Sequence, residues 1–150
     1  MKKQVKNLEE LQALAEGFLA KLAEIPTQKN ATVVGLSGDL GAGKTAFTKC
    51  TASILGISEV VTSPTFILEK IYTIPHGARL GEKFLKLIHI DAYRLEGGDE
   101  MRPLGWEALL DDPQNLIFLE WPEQVTSALP KEMINISFEY VSEGVRNVTY

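Results

Sequence analysis

Residues 38–45 read GDLGAGKT, and this stretch limits the folds open to the chain more than any other. Gly38, Gly43, Lys44 and Thr45 occupy the fixed places of G-x-x-x-x-G-K-[ST], a loop whose backbone N–H groups wrap an anion while glycines let the backbone approach it. Asp39, Leu40, Gly41 and Ala42 complete the loop, and Ala46 follows in the first turn of the next element. The pattern predicts an ATP phosphate cradle over 38–46, with Lys44 reaching the β- and γ-phosphates and the Thr45 hydroxyl ligating Mg²⁺. Its flanks agree. Ala31–Leu36 is a short apolar run suited to a buried parallel strand. Lys44–Leu55 carries Phe47, Cys50, Thr51 and Ile54 at helical spacing and stops at Gly56. Phosphates would then sit at a helix N-terminus, where free N–H groups and the dipole favour negative charge.

A chain of 150 residues, 45% hydrophobic and 23% charged, fits one globular domain over residues 1–150. No apolar run reaches the length of a membrane span, so no membrane role is expected. The opening MKKQVKNLEE lacks the apolar core of a secretory signal. Cys50 is the single cysteine. It is expected on the inner side of the loop helix, as a buried apolar residue in a reducing, cytoplasmic setting. A net charge of −5 argues against affinity gained mainly from nucleic-acid phosphates. The acids concentrate in residues 91–123, where nine face only Arg94 and Arg102 for a segment charge of −7.

Asn7 followed by Glu10 predicts a capped helix start, with Leu8, Leu11, Ala15, Phe18, Leu19 and Leu22 on one face and an end before Pro26. Residues 57–64 contain a short strand candidate. Thr65–Ile74 and Phe84–Tyr93 read as strands around the turn Pro75–Gly81, a hairpin. Glu100–Leu110 predicts a helix interrupted near Pro103 and Gly105. Asn115–Glu120 contains the unbroken apolar run LIFL of a central parallel strand, and Met133–Val141 with Gly144–Tyr150 a final strand pair. The fold class is therefore α/β: a parallel core carrying the phosphate loop, extended by antiparallel hairpin strands, with helices on both faces.

In such sheets ligands bind at the carboxyl ends of strands. Two apolar strands end in an acid there: LIFL in Glu120 and LIHI in Asp91. A Mg²⁺–nucleotide site needs a carboxylate near the loop to hold the ion through its waters, and a group to orient the attacking water. Glu120, on the more central strand, is expected to serve the metal; Asp91 would position the water or share the ion. His89 lies two residues before Asp91 and shares its face, either ordering Asp91 or filling the core. Ser63-Pro64-Thr65 follows the loop helix, where a hydroxyl would sense the γ-phosphate or simply lead into a strand.

Taken in order, GDLGAGKT, SPTF, HIDAYRL and LEWPE resemble the TsaE family, the small ATPases of bacterial tRNA threonylcarbamoyladenosine synthesis. One departure is the long connection from Ile74 to Phe84. The resemblance implies that Gly41, Gly43, Lys44 and Thr45 bind ATP and Mg²⁺, that Glu120 is the metal-associated acid, and that Asp91 is the other catalytic carboxylate. It implies a switch-like segment at Ser63–Thr65, and places Trp121 beside the metal acid as core filler, sensor or partner contact. It further implies two partners forming the threonylcarbamoyl-transferase, of TsaD and TsaB type, with tRNA met only indirectly. ATP hydrolysis would keep that transferase turning over.

The main rival is a small-molecule P-loop kinase. Such enzymes place cationic groups over the transferring phosphate, and this chain has only four arginines, Arg79, Arg94, Arg102 and Arg146. Arg79, in the long turn, would be a candidate for a rudimentary lid. No N-K-x-D sequence for guanine is present, which favours ATP over GTP.

Overall fold

Side chains alternate across a strand, and that alternation divides the core of this chain into two layers. The computed structural model describes residues 1–61 and 68–150. Its strands are β1 (Lys2–Val5), β2 (Thr32–Ser37), β3 (Glu69–Thr73), β4 (Lys86–Asp91), β5 (Asn115–Glu120), β6 (Ile134–Ser142) and β7 (Val145–Thr149). They form one sheet in the order β1-β7-β6-β2-β5-β4-β3. The four central strands, β6, β2, β5 and β4, run parallel. β3 joins β4, β7 joins β6, and β1 joins β7, all antiparallel. The expected hairpin and final strand pair are both present.

Helix α1 (Leu8–Glu24) and helix α2 (Lys44–Ile54) cover one face. Val34 and Leu36 of β2, Leu87 of β4, and Leu116 and Phe118 of β5 point into that layer. Phe47 of α2 stacks on Phe118 with ring centroids 5.9 Å apart, and Phe18 of α1 meets Phe47 edge-on at 5.7 Å. Aromatic pairs of this kind add about 0.5–1.5 kcal/mol beyond their burial, and they tie α2 to α1 and to β5. The opposite layer holds Ile88, Ile90, Ile117 and Leu119 under two 3₁₀ helices, Gly98–Leu104 and Pro122–Ala128, and helix α3 (Trp106–Asp111).

Helix α1 starts as its sequence requires: Asn7 Oδ1 accepts from Glu10 N at 2.8 Å. The Glu10 carboxylate reaches back to Lys6 N at 2.7 Å, one residue beyond the cap. Leu8 is a correction to the apolar face, being exposed, while Leu14 is buried in the core. The predicted helix over 100–110 is split into the first 3₁₀ helix and α3, with left-handed Gly105 between them. Residues 57–61 form no strand, which corrects that part of the 57–64 candidate. The rest of it, the start of the Thr65–Ile74 strand, and Ser63, Pro64 and Thr65 lie outside the described residues. Cys50 is only half-buried, against the expectation of full burial. Strand β1 was not anticipated; three of its four residues are exposed, so it carries no apolar pattern.

Candidate functional site

β2 ends at Ser37 and the chain turns at once through residues 38–43 into α2. Two backbone positions demand glycine. Gly38 has φ +146 and sits so near Phe138 of β6 that a Cβ would lie 2.5 Å from the Phe138 carbonyl oxygen. Gly43 caps α2 with φ 111, a left-handed conformation that costs other residues stability. A hydrogen bond from Arg146 on β7 to the Gly41 carbonyl, 3.0 Å long, ties the loop's outer side to the sheet edge. The Arg146 guanidinium also lies 4.6 Å from the Tyr140 ring centre.

Parallel register brings the acids together. Asp91 is the direct neighbour of Glu120 across β4 and β5, and Leu36 the neighbour of Glu120 across β2 and β5. Both acids are buried and project to the face that α2 covers. Thr45 Oγ1 donates to Glu120 Oε2 at 3.2 Å. Asp91 Oδ1 accepts from Tyr93 N at 2.9 Å. Burial pushes the Asp91 carboxyl above its ordinary range, and the charge on Glu120 pushes in the same direction against the Tyr93 hydrogen bond, His89 and Lys44.

Lys44 is 4% exposed. Its ammonium donates to the carbonyls of Gly38 and Asp39, the latter at 3.0 Å, and lies 4.3 Å from the centre of the Trp121 ring. Burial lowers its pKa, while Glu120, Glu123, Asp91 and Asp39 oppose that shift. The lysine is thus held by its own loop and by an aromatic face, with carboxylates nearby.

Trp121 stands where consecutive strand residues would place it on the face opposite Glu120. It does not continue the strand: its backbone is left-handed, φ 60 and ψ 50, just before Pro122. A proline disfavours the right-handed helical region for the residue before it, and the left-handed turn swings the indole round to Lys44. Trp121 N donates to Leu36 O at 3.2 Å, and the Tyr93 ring packs against the indole at 5.0 Å. Strain of this kind costs about 1–3 kcal/mol and concentrates at functional sites.

These residues line one cleft of 550 Å³: Leu40, Gly41, Gly43, Lys44, Thr45, Ala46, Asp91, Tyr93, Glu120 and Trp121. Of the predicted site residues, Gly38, Asp39 and Ala42 do not line this cleft, although the Gly38 and Asp39 carbonyls accept from Lys44. Arg79 is not among the lining groups; it pairs with Glu16 on α1, which corrects the lid expectation. His89 contacts Glu120, not Asp91 as one reading had it. Tyr93 and Arg146 were missed. Tyr93 could have been found from its place just beyond Asp91, but nothing local marks Arg146, whose partner is 105 positions away.

Among the described residues no group of three or more His, Cys, Asp or Glu side chains is arranged to hold a metal. One hydroxyl and two carboxylates suit a hard cation that keeps several waters and shares phosphate oxygens, as Mg²⁺ does. No helix of the described residues is long and apolar enough to cross a membrane.

A parallel-core sheet whose strand passes through a glycine loop into a helix, facing acids at two neighbouring strand ends, is the architecture of a P-loop-like α/β protein. The family model described as threonylcarbamoyl adenosine biosynthesis protein TsaE matches residues 5–148, and the chain belongs to the TsaE family. It is 37% identical over 122 residues to the Bacillus subtilis tRNA threonylcarbamoyladenosine biosynthesis protein TsaE, covering 81% of this chain and 70% of that one. The protein of the same description from Rickettsia bellii is 33% identical over 144 residues, 94% of this chain and 89% of that one. The crystal structure of Bacillus subtilis YdiB superposes with a TM-score of 0.72 at 30% identity, covering 99% of this chain and 82% of that chain.

Proposed function

We propose that this protein is a Mg²⁺-dependent ATPase that supports tRNA threonylcarbamoyladenosine modification by acting on partner proteins. The observation that carries the reading is the hydrogen bond from Thr45 to Glu120 beside Asp91, at the mouth of the glycine loop. Family membership and the names of the relatives supply the pathway.

In this reading the N–H groups of residues 38–46 hold the phosphates. Lys44 exchanges the carbonyls of Gly38 and Asp39 for phosphate oxygens. Thr45 keeps its proton on Glu120 and offers a lone pair to the cation. When bound, Mg²⁺ neutralises charge that develops on the phosphates. Glu120 holds waters of the ion's shell, and Asp91, fixed through Tyr93 N, accepts a hydrogen bond from the attacking water or shares the ion's shell.

The adenine belongs in a neighbouring apolar pocket of 310 Å³, which meets the first cleft at Gly43 and Ala46 and is bounded by Leu8, Leu11, Phe138 and Arg146. Its mainly apolar lining suits a purine face. The switch to the partners runs through Trp121, whose indole touches Lys44, with Ser63 and Thr65 retained as candidates. The partners are a transferase pair of TsaD and TsaB type, tRNA is met only through them, and the setting is cytoplasmic. With only four arginines, the chain is expected to hydrolyse ATP slowly alone, since a cation supplied in trans accelerates such reactions by about 10³–10⁵.

The test is reconstitution with the two transferase proteins, tRNA, ATP and threonylcarbamoyl-adenylate. Wild-type protein should raise the number of modification turnovers; Lys44→Ala should bind ATP poorly in calorimetry and fail to raise them. Equal ATP affinity in the two proteins would defeat the site assignment. Phosphate transfer to a small acceptor, in place of phosphate release, would replace the function with that of a kinase.

A further inference from the structure

An imidazole in the middle of a parallel strand needs an explanation. His89 stands between Ile88 and Ile90 of β4, beside Phe118 of β5, and is fully buried. Burying a polar ring is unfavourable unless it is hydrogen-bonded. Its Nε2 lies 2.5 Å from Glu120 Oε2, and its Nδ1 has no partner among the described residues. Among the described residues the ring therefore has one hydrogen-bond contact, and that contact is the carboxylate assigned above to the cation.

Thr45 addresses the same oxygen from the opposite element, α2. The Thr45 hydroxyl and the His89 Nε2 converge on Oε2, and an ionised carboxylate can only accept from them, while no hydrogen bond among the described residues engages Oε1. A glutamate has one more rotatable bond than an aspartate, so a strand-end Glu must be immobilised to act from a fixed position. Thr45 alone cannot do this, because one hydrogen bond leaves the carboxylate free to swing about it. The second donor, seated on a rigid central strand, fixes the plane of the carboxylate.

We propose that His89 is a positioning residue for Glu120: it donates from Nε2–H to Oε2 and thereby aims Oε1 into the cleft, toward the hydration shell of the nucleotide's cation. This rests on the ATPase reading above. It also accounts for a Glu at the end of β5, since the longer arm meets a donor seated on the neighbouring strand. Groups that hold metal-facing ligands in place commonly change metal affinity by about 10–100-fold when removed.

The experiment compares His89→Phe, which fills the space without a donor, with His89→Gln, whose amide restores one near the Nε2 position. Nucleotide binding is measured by calorimetry across a Mg²⁺ titration and again in EDTA. The expected result is a Mg²⁺ midpoint raised about tenfold or more in His89→Phe, with metal-free affinity unchanged and substantial recovery in His89→Gln. A folded His89→Phe protein with the wild-type midpoint overturns the proposal and leaves His89 as core packing. Wild-type protein whose nucleotide binding ignores Mg²⁺ overturns the ATPase reading itself, a separate outcome. Should His89→Phe not fold, nitrogen-15 spectra of the wild-type imidazole decide. A proton on Nε2, shifted by Glu120→Gln, supports the proposal; a proton on Nδ1 alone, or no response to Glu120→Gln, overturns it.

Discussion

Replacing Gly38 by alanine separates two reasons for a glycine in the loop. The added Cβ would stand 2.5 Å from the Phe138 carbonyl oxygen. A close C···O contact is about 3.3 Å, so the loop and β6 must part by about 0.8 Å. Crowding of that sort costs about 1–3 kcal/mol, and the positive φ adds about 1–3 kcal/mol of backbone strain, for a working total of about 3 kcal/mol. Gly41→Ala is the control: its φ is +77 but a Cβ there meets nothing within 4 Å. It keeps only the backbone penalty, about 1 kcal/mol. In a chain of this size each kcal/mol moves the melting temperature by about 2–4 °C. Calorimetric melting without nucleotide should therefore fall by about 6–12 °C for Gly38→Ala and about 2–4 °C for Gly41→Ala. Equal losses would refute the claim that Phe138 of β6 sets the shape of the loop, and with it the account of why position 38 is glycine.

In EDTA at neutral pH, Asp91→Asn should melt higher than wild type. The folded-state pKa of Asp91 is raised, so its ionised form opposes folding, and that cost grows as pH climbs through and above the ordinary aspartate value of 3.8 until the folded carboxyl has also ionised. Melting curves down to pH 3 should show the advantage shrinking; an advantage that grows toward acid would contradict the sign. Lys44 lies against Trp121, so Mg²⁺-ATP should change tryptophan emission in a Trp106→Phe background, which leaves Trp121 as the only indole, and should not in Lys44→Ala. Lys83 caps the end of α1 by donating to Leu22 O at 2.7 Å and to Ile25 O, so Lys83→Met should lower melting by about 2–4 °C, the loss of about 1 kcal/mol. Arg79→Ala removes only an exposed pair with Glu16 and should move it by no more than about 2 °C.

The parts legible in the sequence were those whose signal is local. The glycine loop needs its own residues, LIFL and LIHI are apolar because both faces are covered, and each ends in an acid where the sheet opens. Strand β1 escaped because an edge strand with three exposed residues need not alternate. The His89 contact escaped because shared face suggested Asp91, two residues along, whereas the partner sits across the ladder on β5. The orientation of Trp121 depends on a left-handed backbone at a single residue, which reverses the alternation a sequence reader assumes. Arg146 reaches Gly41 only through the complete order of strands.

That strand order also bears on how the protein comes into being. Leu36, next to the loop, lies between Glu120 of β5 and Ile136 of β6, and Phe138 and Arg146 complete the loop's surroundings. The loop is synthesised before every one of these neighbours, which lie far downstream of it in the chain. Non-local strand pairing of this kind carries a large chain-closure cost before any contact repays it and slows folding. A ribosome-bound chain ending before β6 holds the full glycine motif and β5, yet lacks β6 with Phe138 and β7 with Arg146, the strands that complete the loop's surroundings. The loop should thus take its folded shape only once β6 and β7 have paired, so that its geometry reports an assembled sheet and not merely the presence of the motif.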